Sequence, residues 1–278
     1  MGHFAPRNLG DALSALASQD GARILAGGTD FFPSLGEAVP PGTIIDISRV
    51  AELCGITATA AGWRIGAAVR WSDIAKAPLP PCFDALKAAA GAVGSVQIQN
   101  AGTLAGNLCN ASPAADGVPP LLALGAEVEL AGPLGLRRLA LGDFLLGVRK
   151  TALGAGELVT AVHVPAQPDG SGSAFCKLGS RRFMVISIVM VAANVWVLDG
   201  RIAGARVAVG AASPVARRLP GLEAALIGRP VDDMGGFTQP GHLSGLAPID
   251  DVRGTAGYRL EAVAELCDRA IAGALIHG

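Results

Sequence analysis

Residues 96–126 read VQIQNAGTLAGNLCNASPAADGVPPLLALGA, and this stretch is the most informative part of the sequence about the fold and about ligand binding. Its first part, up to Asp116, shows no regular hydrophobic periodicity. Within it, Thr103–Asn107 combines a hydroxyl, small side chains and an amide, so the backbone can approach an anionic group and bind it with uncharged donors. Asp116 lies nine residues beyond Asn107 and could accept hydrogen bonds from a ribose diol. We interpret this region as one half of a ligand site.

A second segment of unusual backbone lies near the N-terminus. The short apolar strand predicted over Ala22–Ala26 runs directly into Gly27, Gly28, Thr29 and Asp30. Successive N–H groups in such a glycine turn point into one concavity that suits anionic oxygens, and Thr29 adds a hydroxyl donor. Each loop alone is weak evidence, since most glycine turns are only turns. Together, two such loops could hold a pyrophosphate between them without any lysine.

Helical and strand signals around these loops indicate a mixed α+β protein. The sequence pattern predicts helices over Leu9–Ser18, Phe83–Val93, Pro119–Leu124, Leu222–Ile227 and Tyr258–Ile276, and strands over Ala22–Ala26, Thr43–Ile47, Trp63–Val69, Glu127–Leu130, Gly156–Pro165 and Arg201–Ala212. Ser72 is the expected N-cap of a further short helix, with Asp73 in its first turn. The polar stretch Gln167–Ser173 is the best linker candidate, so we expect two domains.

The composition argues against several classes of protein. Of the 278 residues, 51% are hydrophobic and 16% are charged, which argues against disorder, and the net charge of −1 removes the electrostatic case for nucleic acid or an anionic membrane surface. The most apolar run, Phe183–Leu198, is shorter than a membrane span and predicts a buried strand or helix start. The opening residues MGHFAPRNLGDAL lack the basic and apolar regions of a signal peptide, so we expect a cytoplasmic protein.

The sequence offers no obvious metal centre or catalytic dyad. Its five cysteines are too scattered for any short metal-binding spacing, so an iron–sulfur cluster would have to lie on another chain: Cys54, Cys82, Cys109, Cys176 and Cys267. A Gly-x-Gly-x-x-Gly turn after a strand, a phosphate-binding loop and the hydrolase and zinc-protease motifs are absent. His163 alternates within a predicted strand and is interpreted as an ordinary half-exposed residue. We predict no catalytic residue and no metal ligand.

Six segments together resemble the FAD-binding subunit of the molybdenum hydroxylases, the relatives of xanthine dehydrogenase, aldehyde oxidoreductase and aerobic carbon monoxide dehydrogenase. They cover nearly the whole chain in the order and spacing of that family. The stretch 96–126 is the most specific, because the family has a Thr/Ser–hydrophobic–Gly–Gly–Asn loop there, then Ser-Pro and an Asp before a helix. The other five are AGGTDFFP (26–33), TIIDISRV (43–50), IGAAVRWSDI (65–74), FCKLGSRRFMVISIVMVA (175–192) and YRLEAVAELCDRAI (258–271).

The resemblance implies a fold of the PCMH/vanillyl-alcohol-oxidase type, in which non-covalent FAD lies between two α+β subdomains. A C-terminal α+β domain would complete the subunit. In this interpretation, residues 1–170 form the FAD-binding domain, with subdomains of about 1–56 and 57–170. Residues 171–278 form the C-terminal domain.

The resemblance also implies which residues contact the cofactor. The first diphosphate loop would contain Ile24, Leu25, Ala26, Gly27, Gly28, Thr29, Asp30 and Phe31, and the second Thr103, Leu104, Ala105, Gly106 and Asn107. Asp116 would bind ribose or ribityl hydroxyls, Val93 and Val159 would be apolar neighbours, and Lys177 would lie near the flavin ring, where a cation favours the anionic reduced form. Ala105 replaces a glycine usual in the family, which requires a negative φ there. Met184 and Val185 stand where many relatives carry an acid, which disfavours NAD as acceptor.

The function that follows is electron transfer within a heteromeric complex. Substrate would be oxidised at a molybdopterin centre on a large partner subunit, and electrons would cross two [2Fe–2S] clusters on a small partner to FAD in this chain. An external acceptor such as NAD, a quinone, a cytochrome or oxygen would then take them. Two alternatives remain open: a self-contained flavin oxidase or reductase of the same fold, and a flavin-free scaffold subunit.

Overall fold

The computed structural model describes residues 2–40, 42–182, 184–233 and 235–276. The N-terminal part is a small parallel sheet with the strand order β1-β3-β2. Its elements are β1 (Gly2–Phe4), α1 (Leu9–Ser18), β2 (Arg23–Leu25), α2 (Phe31–Leu35) and β3 (Thr43–Asp46). Helix α1 begins where the Asp11 N–H donates to the Asn8 side chain at 2.8 Å, which satisfies a helix-end donor. The segment after β2 leaves from the carboxyl edge of this sheet, where the glycine turn begins.

The middle part is an antiparallel sheet with the strand order β4-β5-β10-β6-β7, joined to several short helices. Strands β8 and β9 form a separate hairpin. The elements are β4 (Ile56–Thr59), β5 (Gly62–Gly66), α3 (Trp71–Lys76), α4 (Asp84–Ala92), α5 (Val96–Ala101), α6 (Leu104–Asn110), α7 (Val118–Ala123), β6 (Glu127–Gly132), β7 (Gly135–Ala140), α8 (Leu141–Phe144), β8 (Leu145–Gly147), β9 (Lys150–Thr151) and β10 (Leu158–Pro165).

The C-terminal part is a second antiparallel sheet, with the strand order β11-β12-β13-β14. Its elements are β11 (Ser171–Leu178), β12 (Val189–Leu198), β13 (Arg201–Gly210), β14 (Arg217–Arg218), α9 (Pro220–Leu226) and α10 (Ala256–Ile276). Helix α10 buries Val263, Cys267 and Ile271 against this sheet. None of the helices in the described ranges is both long and apolar enough to cross a membrane.

Two large hydrophobic cores support the three larger sheets in the described part of the chain. The first contains Ile45 of the parallel sheet together with Ile65 and Val128 of the middle sheet, so these two parts share one core. The second contains residues of β12, β13 and α10. Ser173 on β11 joins the cores, because its hydroxyl donates to the Pro81 carbonyl at 3.0 Å and accepts from the Ala85 N–H at 2.9 Å. These contacts place the C-terminal sheet against helix α4 and the segment that precedes it.

The structure confirms the mixed α+β class, and it changes several local predictions. Strand β12 begins at Val189 within the apolar run predicted from Phe183; Phe183 itself lies outside the described residues. Helix α3 begins at Trp71, so Ser72 is not its N-cap. The aperiodic region before Asp116 holds α5 and α6, which are six and seven residues long and too short to show a periodic pattern. Strand β11 begins at Ser171, inside the predicted linker.

Candidate functional site

The glycine turn after β2 lies directly on the backbone that precedes α6. A Cβ on Gly27 would lie 2.0 Å from the Ala101 carbonyl oxygen and 2.8 Å from the Gly102 Cα, so no larger residue fits at this contact. Gly28 has a φ of 72°, in the left-handed region that disfavours a side chain. The two loops predicted from separate parts of the sequence therefore meet, and the small residues are required by the close approach.

The second loop is the N-terminus of helix α6. Thr103 is the N-cap, and its hydroxyl oxygen accepts a hydrogen bond from the Gly106 N–H at 3.1 Å. The chain is fixed on either side, because the Leu104 N–H donates to the Val69 carbonyl at 3.0 Å and the Trp71 N–H donates to the Gly102 carbonyl at 3.2 Å. Ala105 lies inside the helix and does not have a positive φ, so its methyl group is tolerated where the family usually has glycine.

A cavity of about 840 Å³ lies between the two loops. This volume is within the range usual for cofactor sites. Thirteen of the seventeen residues predicted to bind the cofactor line it: Ile24, Ala26, Gly27, Gly28, Thr29, Asp30, Phe31, Val93, Thr103, Ala105, Gly106, Asn107 and Val159. The structure thus gathers into one cavity residues that are up to 135 positions apart in the chain.

The groups in the cavity fit a flavin dinucleotide. One wall offers backbone N–H groups and small polar side chains, and the N-terminus of α6 adds a favourable dipole for a diphosphate. The Asn107 Oδ1 atom is buried without a hydrogen-bond partner, so it is free to accept a hydrogen bond from a ligand hydroxyl. Val93, Leu158 and Val159 give an apolar lining suited to an aromatic ring system.

Four predicted site residues do not line the cavity. Leu25 and Leu104 are buried in the protein interior, as expected for apolar residues within a loop or helix start. Asp116 and Lys177 are paired with each other behind the cavity wall, with 2.6 Å between Lys177 Nζ and Asp116 Oδ2. The Lys177 ammonium also donates to the Ala92 carbonyl at 3.3 Å, next to the lining residue Val93.

The Asp116 carboxylate is strongly held. Its Oδ1 atom accepts a hydrogen bond from the Ser187 hydroxyl at 2.6 Å, and only 7% of the residue is exposed. Burial raises the pKa of Asp116 above its ordinary 3.8, while Lys177 and Ser187 act in the opposite direction. A contact of either residue with the cofactor therefore stays a prediction, since the structure shows them engaged with each other.

Sequence reasoning missed several residues of the cavity wall, among them Trp71, Ile98, Asn110 and Arg149. Trp71 and Ile98 look like ordinary apolar positions in sequence. Arg149 lies in the turn of the hairpin β8–β9, and it has a φ of 57°. A positive φ at an arginine has no sequence signal, so only the folded structure brings this cation to the cavity.

Comparison with known proteins agrees with this arrangement. Residues 1–167 match the family model described as the FAD binding domain in molybdopterin dehydrogenase. Residues 174–274 match the model described as the CO dehydrogenase flavoprotein C-terminal domain. The chain is 32% identical over 273 residues to the xanthine dehydrogenase FAD-binding subunit of Escherichia coli O157:H7, covering 96% of this chain and 93% of that protein.

Two further relatives extend the comparison. The nicotine 6-hydroxylase medium subunit of Paenarthrobacter nicotinovorans is 29% identical over 97% of this chain and 95% of its own length. A chain of the reconstituted CO dehydrogenase from Oligotropha carboxidovorans superposes with a TM-score of 0.92 at 25% identity, covering 100% of this chain and 98% of that one. With its two facing loops and both family matches, this chain belongs to the family of FAD-binding medium subunits of the molybdopterin dehydrogenases, which are oxidoreductases.

Proposed function

We propose that this chain is the electron-transfer subunit of a heteromeric molybdenum hydroxylase or dehydrogenase. Substrate is oxidised at a molybdopterin centre on a large partner subunit, and [2Fe–2S] clusters on a small partner subunit pass the electrons to FAD held here. An external electron acceptor then takes them from the flavin. The names of the relatives support this proposal, since "FAD-binding subunit" and "medium subunit" each denote one part of a larger enzyme.

The observation that carries the proposal is the contact between the two loops. Gly27 lies against Ala101, and the cavity opens between this contact, Thr103 and Asn107. The donors at this point are uncharged, which allows a diphosphate to be held by many hydrogen bonds rather than by one cation.

The residues of this chain bind and orient the cofactor. Bound FAD supplies the redox chemistry, because its isoalloxazine ring takes up and releases one or two electrons. The Thr103 hydroxyl and the N–H groups of the glycine turn at Gly27 and Gly28 hold the diphosphate, and the Asn107 amide holds a hydroxyl of the cofactor. Val93 and Val159 keep water away from the ring. Residues 1–170 serve as the FAD-binding domain and residues 171–278 as the C-terminal domain of the subunit.

The content of the cavity favours this function over a self-contained flavoenzyme. Among the described residues that line it, the titratable side chains are Asp30, Cys109 and Arg149, and no hydrogen bond joins any two of them. An oxidase or reductase that acts on its own organic substrate needs a positioned proton donor or acceptor. A flavin-free scaffold would be favoured if Ala105 could not adopt the backbone conformation of the glycine usual in the family, and the helical backbone at Ala105 removes that reason.

The test is to isolate the assembly through a tag on this chain and to remove FAD reversibly. The proposal predicts molybdenum and iron in the assembly. It also predicts that one of xanthine, an aldehyde, an aromatic heterocycle or carbon monoxide reduces the iron–sulfur clusters with or without FAD. Reduction of an external acceptor should require FAD and return when FAD is added. Full acceptor reduction without FAD would contradict the proposal, and so would substrate turnover by this chain alone.

A further inference from the structure

The hairpin β8–β9 brings a cation to the edge of the cavity. Arg149 lines the cavity and is exposed, and its neighbours Leu146, Val148 and Lys150 are exposed as well. The hairpin therefore borders the opening between the cavity and solvent. Asp30 and Arg149 are the two charged side chains that line this cavity within the described ranges.

Arg149 is held in place by a backbone that is costly to form. Its φ of 57° lies in the left-handed region, which side chains with a Cβ avoid. The Arg149 N–H donates to the Ala111 carbonyl at 2.9 Å, and its guanidinium donates to the carbonyl and to the side-chain oxygen of Asn110. A strained residue that several hydrogen bonds keep in one conformation at the edge of a ligand cavity points to a role in binding.

The charge of Arg149 is available to a ligand. In the part of the chain that the structure describes, no carboxylate lies within 4.0 Å of its guanidinium, whereas Arg137, Arg218 and Arg229 each have an acidic partner. Lys150 adds a second exposed cation beside it. The exposed side chains of Leu146 and Val148 place apolar surface on the same hairpin. An anion with some apolar or aromatic character is the ligand that this surface complements.

We infer that this hairpin receives the external electron acceptor and that Arg149 makes the site selective for anionic acceptors. The inference rests on the proposed function, because it requires flavin in the cavity and an acceptor that reaches it from solvent. Asp30 belongs to the first loop and Arg149 to the hairpin, so the positive charge that lines the cavity is local to the hairpin. The site thus draws an anion to the side of the cavity where Arg149 lies.

The test uses two acceptors that differ in charge. The full chain, loaded with FAD and fully reduced with dithionite without oxygen, is mixed rapidly with ferricyanide or with uncharged benzoquinone. Each FAD in its anionic reduced form loses two electrons and one proton. Two ferricyanide ions take one electron each and the proton goes to solvent, whereas one benzoquinone takes both electrons, that proton and a second proton from solvent. The readout is the second-order rate constant for ferricyanide divided by the second-order rate constant for benzoquinone.

The Arg149→Gln variant should lower this ratio by roughly threefold to tenfold at low salt, since charge steers diffusional encounter. The difference should shrink as the ionic strength rises from about 0.01 M to about 0.5 M. The Arg149→Lys variant, which keeps the charge, should stay near the wild-type ratio. Arg217→Gln is the matched control, because it removes an exposed arginine from β14, which does not line the cavity.

Three results would overturn the inference. An unchanged ratio in Arg149→Gln would show that the residue does not select by charge. An equal fall in Arg217→Gln would show that only the net charge of the chain matters. A chain that takes up no FAD would refute the proposed function and the inference with it, whereas an FAD-loaded chain without charge selectivity overturns the inference alone.

Discussion

The substitution Gly27→Ala tests the contact between the two loops. The added Cβ would lie 2.0 Å from the Ala101 carbonyl oxygen, and an ordinary contact begins at 3.4 Å, so the loops must move about 1.4 Å apart. A hydrogen bond of about 2.9 Å does not survive such a shift. If two hydrogen bonds to the diphosphate are lost, at about 1.5 kcal/mol each, FAD binding weakens by about 3 kcal/mol, or roughly a hundredfold in Kd.

The assay is titration of the FAD-free chain with FAD, followed by flavin fluorescence. Urea unfolding of the same samples separates loss of the site from loss of the fold, and we expect a stability cost of about 1–3 kcal/mol from overpacking. Gly91→Ala is the control, because a Cβ at Gly91 on α4 meets nothing within 4 Å and should stabilise the helix slightly. A smaller loss of stability than expected in Gly27→Ala would still agree with the proposed contact between the loops. Binding of FAD with wild-type affinity would refute it.

Three other substitutions give distinct outcomes. Thr103→Ala removes the N-cap of α6, so it should lower the free energy of urea unfolding by about 1 kcal/mol and reduce the FAD content of the chain. Thr103→Ser keeps the hydroxyl and should restore both quantities. An FAD content equal to wild type in the alanine variant would argue against the site. Asn107→Ala removes a buried oxygen that has no hydrogen-bond partner, so urea unfolding should show an equal or higher stability of the FAD-free chain. Titration should show FAD binding weakened by about 1 kcal/mol. A lower stability together with weaker FAD binding would contradict this account. Lys177→Met leaves the Asp116 carboxylate buried without its cation and should lower the free energy of unfolding at pH 7 by about 3 kcal/mol. The pKa of Asp116 is already raised and rises further in this variant, so the carboxyl becomes protonated in the folded chain as the pH falls through that pKa towards 3.8. The loss of unfolding free energy should therefore diminish over this range. The double variant with Asp116→Asn should lack this pH dependence in urea unfolding.

The loops of the site could be predicted from sequence because their chemistry is local. A strand that ends in two glycines and a threonine requires a tight turn whatever surrounds it. The helix at Leu9–Ser18 was likewise predicted to the residue from its helical pattern, and the structure adds Asn8 as its N-cap. What the sequence could not supply was the contact between Gly27 and Ala101, which depends on how the parallel and middle sheets pack together.

The residues that sequence reasoning missed or misplaced depend on long-range packing. Lys177 and Asp116 are 61 positions apart, and each was assigned separately to the cofactor. Their mutual ion pair follows from β11 packing against the segment before α7. Arg149 carries no turn signal, since glycine or asparagine is usual at a positive φ. Short helices such as α5 escape periodicity analysis because six residues make fewer than two turns.

The central claim is that the cavity between the two loops holds FAD without a covalent bond. The most direct test is the absorption spectrum of the purified full chain before and after denaturation, with the released cofactor identified by mass. The account predicts flavin bands in the native chain and a released mass of FAD. A colourless chain that takes up no added FAD would contradict it, and a flavin that remains attached after denaturation would contradict the non-covalent site.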